Sequence, residues 1–361
     1  MCKSLAASSG ARVGWRTRRR ETAAERVQRP APVGYHRRLL GRPVDPVPRL
    51  LLTGGAGFIG SQLARTLGEA GWEVRVLDKL TYAGRREHLD GVDCELVVAD
   101  VVDSEAVEAA MEGCEAVVHA AAESHVERSL EDPAAFLRTN VEGTRAVLAA
   151  ATRHEIERVL VMSTDEVFGE VPGDALCGPD APLRPGNPYA ASKAGAEALV
   201  HAWRKSFDLP AGIVRCVNCY GPRQHPEKAV PWWARDALEG RLVPVQGLGT
   251  AVRDWLYVED LAAGVARALE RWKPAATWHF AGHCRLPNLE MARRVLAVVA
   301  ERTGSLAQID LVAERRGQDI RYGLDDRETR AALGWAPQVA LDDGLRRTVE
   351  WIAETGRSLW S

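Results

Sequence analysis

Residues 53–60 read TGGAGFIG and begin at the end of RLLLT (residues 49–53), an apolar run typical of a buried strand. The glycines at 54, 57 and 60 permit a tight turn, a close approach of the backbone to a pyrophosphate, and close packing of the following helix. The N-terminus of that helix favours an anion, because its first N–H groups lack partners within the helix. The pattern predicts a dinucleotide-binding turn, with a purely structural turn in an α/β protein as the alternative.

A carboxylate follows this turn at the end of the next apolar run. The run EVRVLD ends at Asp78, which lies 18 residues after Gly60. A carboxylate at this position accepts hydrogen bonds from both hydroxyls of a ribose and would repel a 2′-phosphate. We therefore expect the cofactor to be NAD rather than NADP.

Short β-branched runs alternate with amphipathic segments from Arg49 onward. The runs are RLLLT, EVRVLD, CELVVAD, EAVVHAA, RVLVMS and AGIVRCVN. They carry apolar residues continuously rather than alternately, which is typical of strands buried on both faces. This order predicts an α/β fold with a doubly wound parallel sheet of the Rossmann type. After about residue 220, proline-rich loops and shorter elements predict a smaller C-terminal lobe for the substrate, with the chain crossing back to the sheet.

These patterns divide the chain into residues 1–48, 49–220 and 221–361. The first segment carries 11 Lys and Arg against 3 acidic residues and ends in prolines without a sustained apolar period. We expect it to be a disordered, non-functional extension, with a transit peptide and a partner-binding arm as alternatives. Residues 49–220 are expected to be mainly the NAD-binding domain, and residues 221–361 mainly the substrate-binding lobe.

Composition excludes two classes of partner. The chain has 361 residues, of which 46% are hydrophobic, enough for one large or two moderate folded domains. The formal net charge is −2, and because residues 1–48 carry +8, the remainder carries −10. An acidic body offers no electrostatic footprint for nucleic acid. No run approaches the roughly 18 to 20 apolar residues that a membrane helix needs, so we expect no membrane insertion.

The cysteines indicate a reducing compartment. There are seven, an odd number, scattered at positions 2, 94, 114, 177, 216, 219 and 284. This layout is not that of a disulfide framework, so we expect a cytoplasmic protein. Cys216 and Cys219 form an isolated C-x-x-C without a second pair or a nearby histidine pair, so we expect packing cysteines and no metal site.

Two further motifs carry groups suited to proton transfer. The motif YAASK places Tyr189 and Lys193 four residues apart on one face of a predicted helix. A neighbouring cation favours the phenolate, so we expect Lys193 to lower the pKa of Tyr189 and make it a base. The motif STDEVFG (residues 163–169) places Asp165 and Glu166 directly after a buried strand, where two adjacent carboxylates repel each other if both ionise.

Together, TGGAGFIG, STDEVFG and YAASK resemble the extended short-chain dehydrogenase/reductase family, and within it the dTDP-glucose 4,6-dehydratases of bacterial deoxysugar and antibiotic pathways. The resemblance runs from about Arg49 to the end of the chain. It includes DKLTYAG (78–84), AAESHVERS (121–129), NCYGPRQHPEK (218–228), VRDWLYVEDL (252–261) and RRGQDIRYGLD (315–325).

The resemblance implies an internal redox cycle that removes water from a nucleotide-linked glucose. Tyr189 would take the proton of the 4-hydroxyl, Glu166 would remove the C5 proton, and Asp165 would protonate the departing 6-hydroxyl. Elimination needs an acid and a base close together, which two carboxyls with separated pKa values supply. Thr164 would hydrogen-bond the 4-oxygen, and Lys193 would hold the nicotinamide ribose.

The resemblance also implies binding residues. The NAD site would comprise Gly54, Gly57, Phe58, Ile59, Gly60, Asp78, Lys79, Leu80, Thr81, Asp100, Val101, Ala120, Ala121, Ala122, Tyr189 and Lys193. The substrate would contact Ser124, His125, Thr164, Asn218, Glu227, Lys228, Arg253 and Arg315. Arg253 and Arg315 would bind phosphate or nucleotide, because a guanidinium offers paired planar donors.

Four residues depart from the pattern of these dehydratases. Gln246 stands where they usually have Tyr near the base, Ala251 replaces Asn or Gln, Cys219 replaces Asn, and Glu127 replaces Asp. Losing an aromatic platform removes a stacking surface for the nucleobase. We expect thymidine first, with uridine or another base as the alternative.

Alternative functions and assembly follow from the same motifs. Epimerases and decarboxylases of the family share the glycine turn and the Tyr/Lys pair, but they have no departing 6-hydroxyl and no need for Asp165. A nucleotide-sensing module without catalysis is a third possibility. The segments PAAFLRTNVEGTRAVLAAAT (133–152) and YAASKAGAEALVHAWRKSF (189–207) have long apolar faces. The resemblance implies that they form a homodimer through a four-helix bundle, and packing on their own sheet is the alternative.

Overall fold

Strands and helices alternate along most of the chain. The computed structural model describes residues 47–304 and 306–356, so all but the last two residues of the predicted extension lie outside it. The strands are β1 Arg49–Thr53, β2 Glu73–Asp78, β3 Cys94–Val98, β4 Ala116–His119, β5 Arg158–Thr164, β6 Ala211–Cys216, β7 Asn218–Tyr220, β8 Val243–Gln246, β9 Val252–Tyr257, β10 Thr277–Phe280, β11 Arg285–Pro287 and β12 Ile309–Val312.

The α-helices are α1 Phe58–Glu69, α2 Ser104–Met111, α3 Val126–Glu131, α4 Pro133–Phe136, α5 Gly143–Arg153, α6 Pro188–Phe207, α7 Ala229–Leu238, α8 Val258–Glu270, α9 Asn288–Thr303, α10 Arg327–Leu333 and α11 Leu341–Trp351. Short 3₁₀ helices occupy Arg86–Leu89 and Asp165–Phe168, and π-helical turns occupy Leu137–Glu142 and Ile352–Gly356.

A seven-stranded parallel sheet forms the centre of the protein. Its strand order is β10-β6-β5-β4-β1-β2-β3, and every neighbouring pair is parallel. The order reverses between β1 and β4, which is the switch point of a doubly wound fold. The predicted Rossmann-type sheet is therefore confirmed, with its six runs as six of the strands. The seventh strand, β10, comes from the second half of the chain, which crosses back to the sheet.

The continuous apolar runs are explained by the two covered faces of the sheet. Leu50 and Leu52 of β1 belong to the core on one face, and Leu51 between them belongs to the core on the other. Successive side chains of a strand point to opposite faces, so a strand between two helical layers needs apolar residues at every position. The same rule accounts for β4 and β6, which are buried along their whole length.

The second half of the chain supplies a smaller set of strands. Strands β11-β9-β7 form a three-stranded sheet and β12-β8 a two-stranded one. Helices α7, α9 and α11 pack with them around a third core that includes Trp233, Tyr257 and Val295. The described residues form a single compact unit, and the division near residue 220 stays a prediction. Within the described part of the chain, we find no helix with the length and apolar character required to span a bilayer.

Candidate active site

A cavity of about 300 Å³ opens at the carboxyl ends of the central strands. Parallel strands place all their carboxyl ends at one edge of the sheet, so the loops after β1, β2, β4, β5 and β6 meet there. Residues from all five loops line the cavity. Each of the five predicted catalytic residues is among them: Thr164, Asp165, Glu166, Tyr189 and Lys193.

The glycine turn forms one wall of this cavity. A Cβ atom at Gly60 would lie 2.0 Å from the carbonyl oxygen of Gly54, and one at Gly54 would lie 2.6 Å from the Cα of Ala121. Gly54 also has φ +72°, in the left-handed region that favours glycine. Helix α1 begins at Phe58, directly after the turn. The turn backbone and the N-terminus of α1 therefore border the cavity, an arrangement that suits a pyrophosphate.

Asp78 lies at the end of β2, beside the glycine turn. Its carboxylate accepts hydrogen bonds from the backbone N–H of Ala56 at 3.0 Å and of Leu80 at 2.8 Å. Burial raises the pKa of Asp78, and these two hydrogen bonds oppose that shift. Two backbone donors therefore hold the carboxylate at the border of the cavity.

Most of the residues predicted for the cofactor line the cavity: Gly54, Gly57, Phe58, Ile59, Gly60, Asp78, Lys79, Thr81, Val101, Ala120, Ala121 and Ala122. Leu80 and Asp100 do not line it. Leu80 instead supports Asp78 through its backbone, and Asp100 lies 3.7 Å from the ammonium of Lys79. The glycine cradle and the fixed Asp78 carboxylate fit a dinucleotide.

Asp165 and Glu166 begin the 3₁₀ helix that follows β5. Thr164 caps this helix, because its hydroxyl accepts the backbone N–H of Glu166 at 3.3 Å. Asp165 is only 2% exposed, and burial, followed by the negative charge of Glu166, raises its pKa to about 8. Asp165 therefore favours its protonated form at neutral pH, as a general acid requires.

Glu166 is held by two residues that the sequence analysis did not identify. Its Oε2 accepts hydrogen bonds from Asn187 Nδ2 at 3.2 Å and from the Tyr322 hydroxyl at 3.3 Å. The Tyr322 hydroxyl also lies 2.9 Å from Asp319 Oδ2. Asn187 precedes a helix-starting proline, which signals a cap but not a catalytic contact. Tyr322 lies within RRGQDIRYGLD, where the sequence offers no local sign of its partner.

Tyr189 and Lys193 both border the cavity from α6, but the pKa of Tyr189 is not lowered as expected. The Lys193 ammonium donates to the Met162 carbonyl on β5. Burial and the negative charge of Glu166 raise the pKa of Tyr189 well above its ordinary value. Burial also lowers the pKa of Lys193 to about 8. The expectation of a lowered pKa for Tyr189 is wrong for this geometry, because burial and a nearby carboxylate oppose formation of the phenolate.

Asn140 is a further residue that the sequence analysis missed. It lies in the π-helical turn Leu137–Glu142, and its side-chain amide donates to Ser192 Oγ at 2.8 Å and to the Glu123 carbonyl at 2.9 Å. Its Oδ1 accepts the backbone N–H of Glu123 at 2.8 Å. Asn140 therefore connects the loop after β4 to the YAASK segment of α6.

Contacts between loops close another side of the cavity, which includes several residues predicted for the substrate. Lys228 donates to the Ser124 carbonyl at 2.7 Å, and the Tyr82 hydroxyl donates to Glu227 Oε1 at 3.2 Å. The Arg128 guanidinium lies 4.0 Å from the centre of the Tyr82 ring. Asn218 also lines the cavity, and its buried Oδ1 has no hydrogen-bond partner among the described residues.

Three predicted substrate residues do not line the cavity: His125, Arg253 and Arg315. Arg253 is buried behind it, where the guanidinium donates to the carbonyls of Val252 and Asp319, each at 2.9 Å. Its Cζ lies 4.6 Å from the centre of the Tyr322 ring. This arrangement supports the side chains that hold Glu166, and the predicted phosphate contact of Arg253 stays a prediction.

Two of the residues that depart from the dehydratase pattern contact each other. Gln246, at the end of β8, donates to Glu127 on α3. The other two, Cys219 and Ala251, are buried, and Cys219 borders the cavity. Within residues 47–304 and 306–356 we find no cluster of three or more side chains that could hold a metal ion.

Comparison with known proteins places the chain in a family. Residues 50–278 match the NAD dependent epimerase/dehydratase family. The chain belongs to this family. The dTDP-glucose 4,6-dehydratase of Streptomyces niveus is 39% identical over 322 residues, which cover 86% of this chain and 94% of the relative. The predicted membership of the extended dehydrogenase/reductase group is thereby confirmed.

Solved structures of this epimerase/dehydratase family share the fold. DesIV, a dTDP-glucose 4,6-dehydratase from Streptomyces venezuelae solved with NAD and dTDP bound, is 38% identical with a TM-score of 0.81. The match covers 87% of this chain and 99% of that one. A UDP-glucose 4-epimerase from Thermus thermophilus, solved with NAD, is 33% identical with a TM-score of 0.78, covering 85% and 99%.

Proposed function

We propose that this protein is a nucleotide-sugar 4,6-dehydratase that retains NAD through each catalytic cycle and releases a 4-keto-6-deoxy sugar nucleotide. The observation that carries the proposal is the contrast between two adjacent carboxyls in one cavity. Asp165 is 2% exposed with its pKa raised to about 8, whereas Glu166 is more exposed and held by Asn187 and Tyr322. Elimination of water needs such an acid and base side by side.

The side chains divide the proton transfers among them. Tyr189 receives the proton of the sugar 4-hydroxyl, while Thr164 donates a hydrogen bond to the 4-oxygen. Glu166 removes the proton from C5, which the 4-keto group has made acidic, and Asp165 protonates the departing 6-hydroxyl. The glycine turn and Asp78 would hold NAD, which would supply a reversible hydride acceptor and, in its oxidised form, a positive charge on the nicotinamide.

That positive charge matters for Tyr189. Burial and the charge of Glu166 raise the pKa of Tyr189, so the protein alone does not favour a phenolate. A cation nearby favours proton loss from the phenol. The Met162 carbonyl holds the Lys193 ammonium in place on the same helix, α6.

The favoured substrate is dTDP-glucose, with a UDP-sugar or another nucleotide sugar as the alternative. The support is the identity of about 40% with dTDP-glucose 4,6-dehydratases, whose name states that substrate. Ser124, Asn218, Glu227 and Lys228 line the substrate side of the cavity. The Gln246–Glu127 hydrogen bond occupies the region in which the dehydratase pattern has a tyrosine, which leaves thymine without that stacking surface.

Incubation with candidate substrates tests the reaction. The protein is mixed separately with dTDP-glucose, UDP-glucose and GDP-mannose, and the products are analysed by mass spectrometry. We expect at least one sugar nucleotide to lose one water, with dTDP-glucose the fastest. Unchanged sugar nucleotides in the presence of bound NAD would refute the proposal. The nucleotide recovered with the purified protein gives independent information on the base.

The E166Q variant separates oxidation from elimination. Substrate should still reduce the bound nicotinamide, because Tyr189 and Lys193 are retained and loss of the Glu166 charge removes one of the effects that raise the pKa of Tyr189. Loss of water should stall. Asn187 and Tyr322 can also hydrogen-bond a glutamine oxygen, so the site geometry is retained. Normal turnover in E166Q would remove Glu166 from the mechanism.

A sugar-nucleotide epimerase is the second candidate. It is favoured by the likeness to the Thermus thermophilus UDP-glucose 4-epimerase, which shares 33% identity over 85% of this chain. An epimerase would invert a configuration without net loss of water, and a decarboxylase of the family would release CO₂. The buried carboxyl of Asp165 argues against both, because neither reaction expels a 6-hydroxyl.

We also infer the setting in which the enzyme works. The cysteines at 94, 114, 177, 216, 219 and 284 are free in the described residues, which suits the cytoplasm. A homodimer through α5 and α6 is supported by exposed apolar side chains on and beside these helices, including Leu137 and Phe207. The product class is a precursor of deoxysugars, and we propose a role in deoxysugar or antibiotic biosynthesis.

A further inference from the structure

A buried ion pair lies behind the cavity and is not part of its lining. Glu197 on α6 is 0% exposed, and Arg215 on β6 is 3% exposed. Arg215 donates from Nη2 to Glu197 Oε2 at 2.7 Å and from Nε to Oε1 at 3.0 Å. Removing two charges from water is costly, and apolar residues of similar volume are often at least as stabilising. Stability is therefore a weak explanation for this pair.

Glu197 contacts the strand that leads into the catalytic turn. The Ser163 hydroxyl donates to Glu197 Oε1 at 2.5 Å. Ser163 directly precedes Thr164, so this hydrogen bond fixes the end of β5 against α6, the helix that carries Tyr189 and Lys193. Two catalytic segments are thus joined by one carboxylate.

Arg215 contacts the catalytic turn itself. Its Cζ lies 4.8 Å from the centre of the Phe168 ring, and Phe168 ends the 3₁₀ helix that begins at Asp165. Its Nη1 donates to the Pro179 carbonyl at 2.8 Å and to His279 Nε2 at 3.1 Å. Burial and the Arg215 charge lower the pKa of His279 to about 4, so this imidazole is neutral and accepts at Nε2. The guanidinium is therefore held from three sides beneath the turn.

Glu197 also places a negative charge one helical turn after Lys193. Burial lowers the pKa of Lys193 to about 8, and the charge of Glu197 is the largest effect that opposes this shift. Cys216 on β6 acts in the same direction as Glu197. His119 on β4 also faces Lys193, and burial and the Lys193 charge lower the pKa of His119 to about 3.

We infer that Glu197 and Arg215 are positioning residues for the dehydration, an inference that rests on the proposed function. The pair aligns α6 with the end of β5 and with the Asp165–Phe168 turn, and it supports the cationic form of Lys193. Neither residue touches the reacting atoms. The pair acts on the reaction indirectly, through its contacts with Ser163 and Phe168 and through the charge of Glu197 near Lys193.

Kinetics of three variants test the inference. They are E197Q, E197D and the double variant E197M/R215M, which removes the pair without leaving a buried charge unpaired. With dTDP-glucose as the probe, kcat, KM and the single-turnover rate of nicotinamide reduction are measured against pH. We expect E197Q and the double variant to lose about a hundredfold in kcat with little change in KM, because small misplacements of reacting groups have effects of this size.

The pH profile separates positioning from mere support of the fold. The Glu197 anion favours the protonated form of Lys193, so removing it should lower the pKa of Lys193. The rate of nicotinamide reduction should then begin to fall at a lower pH on the alkaline side of its profile, by about one unit. E197D keeps the anion, so the alkaline side of its pH profile should match that of the wild type. The matched control is E73Q. Glu73 pairs with Arg49 at the amino ends of β2 and β1, away from the cavity, and E73Q should match the wild type.

The outcomes are distinct. If E197Q does not fold, the double variant decides the question, with folding checked by thermal melting. Profiles of E197Q or the double variant that superimpose on the wild type, or an alkaline side of the E197D profile that moves as far as that of E197Q, would overturn the inference. A wild-type enzyme that neither reduces its nicotinamide nor removes water would overturn the proposed function instead.

Discussion

The hydroxyl of Tyr322 lies 3.3 Å from Glu166 Oε2, although 156 residues separate the two in the chain. The same hydroxyl lies 2.9 Å from Asp319 Oδ2, and the Arg253 guanidinium stacks on the Tyr322 ring. Tyr322 thus connects the C-terminal half of the protein to the proposed base. The orientation of Glu166 therefore depends on Tyr322, which the STDEVFG motif does not predict.

Replacing Tyr322 by Phe should slow elimination more than oxidation. The substitution keeps the ring beneath Arg253 and removes only the hydroxyl, which contacts both Glu166 and Asp319. A hydrogen bond to a charged group contributes about 1.5–3 kcal/mol, which corresponds to a loss of about 10- to 100-fold in the elimination step. Reduced nicotinamide should therefore accumulate during a single turnover of Y322F, as followed by absorbance. Unaltered water loss in Y322F would separate Tyr322 from the function of Glu166.

Stability should respond to pH through Asp165. Its ordinary pKa is 3.8, and burial raises it to about 8 in the folded protein. Between these values the unfolded chain releases the proton and the folded chain keeps it, so stability falls as pH rises across this window. D165N removes this dependence. Thermal melts should show that the advantage of D165N over the wild type grows from about pH 4 to about pH 8, and parallel curves would contradict the buried, protonated state of Asp165.

A methyl group at Gly84 should weaken NAD binding. A Cβ atom there would lie 2.8 Å from Asp78 Oδ1, and two backbone hydrogen bonds prevent the carboxylate from moving away. We expect G84A to bind NAD about tenfold more weakly, equivalent to about 1.4 kcal/mol, as measured by titration of the NAD-free protein.

The control for this variant is G68A. Gly68 lies in α1, and a Cβ atom there would have no neighbouring atom within 4 Å outside its own helical turn. Alanine at this position should therefore leave NAD affinity unchanged and raise the melting temperature slightly. Equal affinities of G84A and the wild type would show that Asp78 is not the group that holds the ribose.

An acidic substitution at Leu137 should separate the proposed dimer. Leu137 is 53% exposed at the start of the π-helical turn that leads into α5. A charge there would have to be buried between subunits, which is strongly unfavourable. Light scattering should show L137D as a monomer. Leu242 is 58% exposed and lies just before β8, so L242D is the matched control that should keep the wild-type mass. Equal masses for wild type and L137D would place the interface elsewhere.

The strands could be predicted because their signal is local. Most of the six runs are apolar at consecutive positions, and β1 shows why: Leu50 and Leu52 pack on one face of the sheet and Leu51 on the other. The glycine turn was equally predictable, since the close approach of Gly60 to Gly54 involves residues only six positions apart in sequence. β10 carries no comparable signal in its four residues, and its place beside β6 follows from the path of the whole chain.

The chemistry of the site was less accessible to sequence reasoning. The spacing of Tyr189 and Lys193 predicted a shared helix face, and both residues line the cavity. Spacing could not show that Lys193 donates to Met162 on a neighbouring strand, or that Glu166 opposes ionisation of Tyr189. A pKa depends on burial and on every nearby charge, and these are set by elements far apart in the chain.

By itself, the sequence determined the parallel sheet, the dinucleotide turn with Asp78 and the residue types of the catalytic set, because these follow from local periodicity, glycine stereochemistry and short motifs. Only the tertiary structure decided that Asp165 is buried with a raised pKa, that Tyr322 and Asn187 hold Glu166, and that the Glu197–Arg215 pair lies against the Asp165–Phe168 turn. Those properties arise where distant segments meet and exclude water, and no single segment encodes them.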